Sequence, residues 1–247
     1  MRAPTVIAVD WSGARRARGI WAATVRAGTV VDSRPIATRE EAVAYVAACP
    51  APVIAGFDFS FSVPAWFAHE HGCRTVEDVW DLAARDGERW LAPTPPFWRT
   101  RNEVPRDRRF RRCESRFATA KSIFQLVGNG QVGAGSVRGM PLLRELRAAG
   151  FAIWPFDAPR ARSAFEIYPS ALRPLAGPCG PFTSNDERDA VCSAFVMWRQ
   201  REAVAALSAA TDPVTRLEGD VWMPPPPPTP PPSPSNLRRS SIRRMEH

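Results

Sequence analysis

Two short apolar runs that each end in an aspartate place the strongest constraint on how this chain can fold. The first is Val6–Val9, followed directly by Asp10, and the second is Val53–Phe57, followed by Asp58. A short uninterrupted apolar run is typical of a strand that is buried on both faces of a sheet. We therefore expect two buried strands with an acid at each carboxyl end, which is the edge where ligands bind in open α/β sheets.

The residues between the two runs predict that these strands are parallel neighbours. Residues 19–31 are rich in strand formers with a turn between them, and residues 38–47 have the capping signature of a helix. A strand that is reached through a helix normally runs parallel to an earlier strand. Asp58 should then lie beside Asp10, and the alternative for Asp10 is an aspartate that only caps a turn.

Three more acids are candidates for the same edge. Glu166 lies within the apolar segment Ala164–Pro169, where a buried glutamate needs a partner, a metal or the open end of a sheet. Asp186 and Asp189 are three residues apart at the start of a predicted helix, so they share one face of it. The helix dipole alone would also favour acids at these two positions.

The middle segment, residues 63–150, combines predicted helices with a basic stretch. Eight arginines lie between residues 99 and 116, and arginine forks suit phosphate oxygens. A solvated, ion-paired loop is the alternative for any single one of them. Residues 128–139 contain five glycines but no P-loop lysine, so they predict a flexible connector before a helix that begins at Met140.

Charge, cysteine content and hydropathy indicate which partners and which cellular location to expect for this chain. The net charge of +8 favours a polyanionic partner such as nucleic acid. The five cysteines are scattered without a C-x-x-C pair, which predicts neither a disulfide framework nor a zinc site and favours a cytoplasmic location. No window approaches the length of a membrane helix, so we expect no membrane partner. Residues 224–247 are Pro-rich and basic, which predicts a disordered tail, with a Pro-recognising partner as one possibility.

The order of these motifs resembles the ribonuclease H-like fold, and in particular the domain-of-unknown-function 429 family of predicted nucleases. The matching stretches span about residues 4–223 and are Val9–Gly13, Gly56–Ser60, Lys121–Leu126, Trp154–Phe156, Phe165–Pro169 and Asn185–Ala190. The resemblance implies an α/β protein whose mixed β-sheet is flanked by helices. It also implies one domain over residues 1–223, with residues 63–150 as a helical, basic insertion.

The resemblance further implies hydrolysis of phosphodiester bonds in DNA or RNA with two Mg²⁺ or Mn²⁺ ions held by carboxylates. The catalytic residues would be Asp10, Asp58, Glu166 and Asp189, and Asp186 would join them as a metal ligand. The phosphate-binding residues would be Ser12, Ser60, Arg99, Arg101, Arg112, Arg116, Lys121 and Arg138.

Two other functions are consistent with the same residues. The related actin and sugar-kinase folds use an aspartate-led first hairpin as a phosphate loop, so a phosphotransferase is one alternative, although the chain has only one such lobe. The second is a non-catalytic module that binds nucleic acid or protein through a degenerate site. Titration with Mn²⁺ separates an enzyme of the two-metal class from such a module.

Overall fold

A mixed β-sheet of six strands is the centre of the fold. The computed structural model describes residues 3–15, 19–92, 94–99, 104–127 and 132–225. Within these ranges the sheet lies between two layers of helices, each with its own hydrophobic core. The predicted α/β architecture, with a mixed sheet flanked by helices, is therefore confirmed.

The strand order joins an antiparallel half of the sheet to a parallel half. The strands are β1 (Thr5–Asp10), β2 (Ile20–Arg26), β3 (Thr29–Ile36), β4 (Val53–Phe57), β5 (Ala152–Ile153) and β6 (Arg162–Glu166). Their order is β3-β2-β1-β4-β6-β5, in which β1, β2 and β3 are antiparallel neighbours. From β1 onward, β4, β6 and β5 run parallel to one another and to β1. The carboxyl ends of β1, β4 and β6 therefore meet at one edge.

Two of the helices begin where their capping signals predict. The helices are α1 (Arg39–Ala48), α2 (Ala65–Glu70), α3 (Val76–Leu91), α4 (Val132–Ala148), α5 (Pro169–Ala176), α6 (Asn185–Arg199), α7 (Arg201–Ala205) and α8 (Pro213–Glu218). The Thr38 hydroxyl accepts a hydrogen bond from the backbone N–H of Glu41, and the Ser184 hydroxyl accepts one from that of Glu187. None of the helices in the described ranges is both long and apolar enough to cross a membrane.

Successive residues of a strand contribute to opposite cores. Ile7 and Val9 pack in the core on the side of α1, α3 and α4, whereas Val6 and Ala8 pack in the core on the side of α6. All four are fully buried, which is typical of a central strand covered on both faces. The same alternation directs the next residue, Asp10, toward the side of α6.

The glycine-rich segment forms a helix where the sequence indicated a connector. Its described part begins α4 at Val132, eight residues before the predicted start at Met140. Gly133 and Gly139 allow close packing, because a Cβ atom would lie 2.3 Å from the Ile123 carbonyl oxygen at Gly133 and 2.7 Å from the Phe59 ring at Gly139. Glycine therefore serves close contact between elements here rather than flexibility.

The sequence also predicts a strand over residues 151–156, a last helix that continues to Leu207, and a short strand or extended end over residues 218–222. Of the strand predicted over residues 151–156, only Ala152–Ile153 pairs, as the edge strand β5. The long last helix is divided at Gln200 between α6 and α7. Residues 218–222 form an isolated bridge from Val221 to Glu166 rather than a strand.

Removal of the Pro-rich tail should leave the fold intact. Residues 226–247 lie outside the described residues, whereas Trp222 is 2% exposed and its backbone N–H donates to the Glu166 carbonyl oxygen at 2.8 Å. A chain that ends at Met223 should melt within about 2 °C of the full chain, because Pro-rich segments bury little apolar surface. Trp222→Ala should instead lower the free energy of unfolding by about 3–5 kcal/mol. Thermal unfolding measures both, and a large drop for the shortened chain would show that the tail packs.

Candidate active site

Asp10 and Asp58 lie side by side at the carboxyl edge of the sheet. The register pairs Val9 of β1 with Phe57 of β4, and each aspartate is the next residue in its chain. The backbone N–H of Asp58 donates to the Val9 carbonyl oxygen at 3.1 Å, which continues the ladder by one step. Since neighbouring strands are about 4.8 Å apart, this pairing places the two carboxyl groups close together.

Helix α6 brings two more acids to the same place. Its first turn packs near the start of β2, where a Cβ atom on Gly19 would lie 2.9 Å from Asp186 Oδ2. Asp189 lies three residues further along and lines the cavity that Asp58 also lines. Asp189 Oδ1 is 3.2 Å from Arg173 Nη1 on α5. The spacing of three residues thus places both aspartates near the sheet edge.

Burial and mutual repulsion raise the pKa values of these acids. Burial, followed by the charges of Asp58, Asp189 and Asp186, raises the pKa of Asp10 to about 9. Burial, followed by the charges of Asp189 and Glu166, raises the pKa of Asp58 to about 8. Burial also raises the pKa of Asp189, although Arg173 and Arg188 oppose that shift. The cluster is therefore short of positive charge.

Glu166 lies at the same edge but on the other face of the sheet. The register pairs it with Phe57, so its side chain lies on the side of α2 and α3. It is 3% exposed, and its Oε2 accepts hydrogen bonds from the Phe61 N–H and from Arg111 Nη1, each at 2.8 Å. Its Oε1 accepts from Arg111 Nη2. Arg111 is thus the partner that a buried glutamate was expected to need.

Arg111 is the centre of a buried ionic network beneath the cavity. The guanidinium is fully buried, with Nε 3.0 Å from Glu114 Oε1 and Nη1 3.0 Å from the carbonyl oxygen of Glu218. The carboxylate of Glu218 accepts from the backbone N–H of Ala65 at 2.7 Å and that of Arg112 at 2.6 Å. These hydrogen bonds connect α2, α8 and β6 to the arginine-rich segment of residues 99–116. The network therefore fixes one wall of the site.

A cavity of about 620 Å³ opens next to the acids. Four carboxylates and three cations line it, together with Ser60 and the aromatic rings of Phe117 and Tyr168. The carboxylates are those of Asp58, Glu114, Glu166 and Asp189, and the cations are those of Arg111, Lys121 and Arg173. The positive side chains could bind an anionic group of a substrate, while the carboxylates next to them could bind a cation.

The other predicted phosphate ligands contact protein groups elsewhere. Ser12 lies in the turn after β1, where its hydroxyl accepts from the Ala14 N–H at 3.3 Å. Four of the predicted arginines lie within the described residues, and each contacts a nearby oxygen. Arg99 donates a hydrogen bond to the Leu91 carbonyl oxygen. The other three form ion pairs with carboxylates: Arg112 with Asp212, Arg116 with Asp220 and Arg138 with Glu88. Arg101 lies outside the described residues.

Sequence reasoning missed Arg111 and Arg173 as residues of the site. The available signal for Arg111 was the need of Glu166 for a cation, but eight nearby arginines left its identity open. Arg173 gave no signal of its own, because its pairing with Asp189 depends on how α5 packs against α6.

The donor chemistry of the aspartate cluster fits a hard divalent cation. Carboxylate oxygens are the ligands that Mg²⁺ and Mn²⁺ prefer, and the raised pKa values of the half-buried Asp10 and Asp58 indicate acids without enough counter-charge. In the described part of the chain, however, no three His, Cys, Asp or Glu side chains are close enough together to hold one ion. A cation would therefore have to draw together Asp10, Asp58 and Asp189, with Asp186 beside them, whereas Glu166 is already paired with Arg111.

The raised pKa values predict a pH dependence of stability. Asp58 has an ordinary pKa of 3.8 when unfolded and about 8 when folded, and Asp10 changes from 3.8 to about 9. Between these limits the folded state binds more protons than the unfolded state, so the two groups favour folding at acid pH and lose that contribution as the pH rises. Asp58→Asn should therefore gain stability over the wild type between pH 5 and pH 9 in metal-free urea unfolding. A difference that stays constant with pH would contradict the raised pKa.

The candidate site thus combines four crowded aspartates, a buried Arg111–Glu166 pair and a cavity with cations on its wall. The carboxyl edge of the sheet and the first turns of α6 place the acids. Comparison with protein-family models, with curated proteins and with solved structures finds no match for this chain.

Proposed function

We propose that the protein is a metal-dependent hydrolase of phosphodiester bonds in nucleic acid, with a ribonuclease H-like arrangement of its sheet. The observation that carries this proposal is the crowding of Asp10, Asp58 and Asp189, short of positive charge, beside a cavity lined by cations. The strand order, an antiparallel hairpin half followed by parallel strands, is compatible with that fold.

Different side chains of the site would bind the cation, orient the phosphate and position the cation ligands. Asp10, Asp58 and Asp189 would hold Mg²⁺ or Mn²⁺, which supplies an activated water and stabilises the leaving oxygen when bound. Lys121 is exposed at the cavity wall and would orient the anionic phosphate. Arg173 keeps Asp189 in position through their ion pair, and in the same cavity it adds a second positive charge.

The side chains that line the cavity favour a nucleic-acid substrate over a small phosphate ester. Phe117 and Tyr168 line the cavity with their ring centroids 5.2 Å apart, and aromatic rings are the usual platforms for unpaired bases. The net charge of +8 favours a polyanion as well. The phosphotransferase alternative would need a second glycine-rich phosphate hairpin, and the described part of the glycine-rich segment belongs to the helix α4 instead.

Cleavage assays with four labelled substrates test the proposal. Duplex DNA, a four-way junction, an RNA–DNA hybrid and single strands are each incubated with Mn²⁺ or with a chelator. We expect Mn²⁺-dependent cleavage of at least one of them, and no cleavage of any would contradict the proposal.

Lys121→Gln should weaken substrate binding while leaving kcat nearly unchanged. Because Lys121 would contact one phosphate, its loss should lower the slope of log affinity against log salt by about one. Arg85→Gln is the matched control, since it removes the same charge from an exposed position on α3, where Arg85 pairs with Asp86. An equal effect of the two substitutions would show that general charge, not the cavity, binds the substrate.

A further inference from the structure

Two cysteines that belong to none of the predicted motifs are in contact in the fold. Cys179 Sγ and Cys192 Sγ are 3.0 Å apart, although 13 positions separate the residues in the chain. Cys179 follows the end of α5 at Ala176, and Cys192 lies on α6. The spacing of the cysteines predicted no disulfide framework, and the structure nonetheless places these two sulfurs in contact.

We propose that Cys179 and Cys192 are an oxidation site that forms a reversible disulfide between α6 and the segment after α5. The two thiols differ in access, since Cys179 is partly exposed and Cys192 is buried. The remaining cysteines, Cys49, Cys73 and Cys113, are buried as well. Cys179 is therefore the sulfur that a dissolved oxidant reaches.

A small-molecule disulfide such as oxidised glutathione is a sufficient oxidant. The Cys179 thiol loses its proton to solvent, and its sulfur attacks one sulfur of the oxidant, which forms a mixed disulfide and releases one glutathione thiolate. The Cys192 thiol then loses its proton and attacks the Cys179 sulfur, which forms the internal bond and releases the second glutathione. Two protein thiols are oxidised and one disulfide is reduced to two thiols.

The environments of the two sulfurs assign the order of these steps. Burial, followed by the neighbouring Cys179, raises the pKa of Cys192 to about 12. Cys192 is therefore a thiol at neutral pH and a poor first nucleophile. Once Cys179 carries the mixed disulfide, the contact between the two sulfurs gives Cys192 a high effective concentration for the second step.

The bond would join α6 to the segment that follows α5, and these two helices carry an ion pair of the candidate active site. Arg173 lies on α5, and Asp189 lies on α6, one turn before Cys192. A covalent link beyond this ion pair would restrict movement of α5 relative to α6. The proposal does not depend on the proposed nuclease activity, because the sulfur contact alone carries it.

Oxidation of the full chain with oxidised glutathione tests the proposal. We expect the intact mass to fall by two hydrogens, peptide mapping to link Cys179 to Cys192, and the melting temperature to rise by about 5–10 °C until a reductant is added. In Cys192→Ala, glutathione should remain attached to Cys179, and Cys179→Ser should react far more slowly. Cys49→Ala is the control, because it removes a cysteine and should leave the internal bond intact.

Three outcomes would overturn the proposal: five free thiols after oxidation, a bond between other cysteines, or a stable glutathione adduct on wild-type Cys179. The peptide map of the wild-type chain decides among them without any variant. The result holds even if Cys192→Ala does not fold.

Discussion

Replacement of Arg111 by methionine should lower the free energy of unfolding by about 3–5 kcal/mol, because it leaves buried carboxylates without a counter-charge. Glu166 and Glu114 both pair with this guanidinium, and each is less than a tenth exposed. Methionine keeps much of the volume of the side chain, so the loss reports the charge rather than a cavity. Urea unfolding at neutral pH measures the change.

The adjacent residue provides a control with the same substitution. Arg112 is exposed, and its side chain forms an ion pair with Asp212 at the surface. Exposed pairs of this kind contribute about 0–1 kcal/mol, so Arg112→Met should change stability by no more than that. Adding Glu166→Gln to Arg111→Met should restore part of the lost stability, because it removes one unpaired charge. Equal, small losses for both arginines would refute the structural role of the network.

Asp58→Asn should lower kcat by at least about 100-fold while the metal-free protein stays as stable as the wild type or becomes more stable. Asp58 would be a cation ligand in the proposed site, yet in the metal-free protein it is a half-buried acid that repels Asp189. Loss of function and gain of stability in one variant would separate a functional acid from a structural one. Rate measurements on a cleaved substrate, with urea unfolding of the same samples, test this pattern.

Asp81→Asn is the matched control for Asp58→Asn. Asp81 is an exposed aspartate on α3, and its carboxylate pairs with Arg144. This substitution removes the same charge away from the cavity, so it should leave kcat unchanged. Retention of full activity by Asp58→Asn would contradict the role assigned to Asp58.

Local signals made the strand–aspartate units and the helix starts predictable. The apolar run before Asp10 needed only burial on both faces to become a strand, and the Thr38 cap needed only Glu41 three residues later. The parallel neighbour that carries Asp58 followed from the helix between the two strands. These features depend on residues that are close in the sequence, or on a general rule of connection.

Long-range contacts account for what the sequence did not predict. The glycines of α4 were interpreted as a connector because their tight contacts with Ile123 and Phe59 exist only in the folded chain. Arg111 and Glu166 are 55 positions apart in the sequence, and no residue near either one indicates that they form a pair. The Cys179–Cys192 contact likewise depends on how α5 packs against α6.

Thermal unfolding with and without millimolar Mn²⁺, on the wild type and on Asp10→Asn, tests the central claim most directly. A ligand that binds only the folded state at 100 times its Kd adds about 2.7 kcal/mol, which should raise the wild-type melting temperature by about 5–10 °C. Asp10→Asn should lose most of that rise, although its metal-free form should be at least as stable as the wild type. Asparagine caps a turn nearly as well as aspartate. An equal response of the two proteins to Mn²⁺ would therefore leave Asp10 as a turn cap and contradict the cation site.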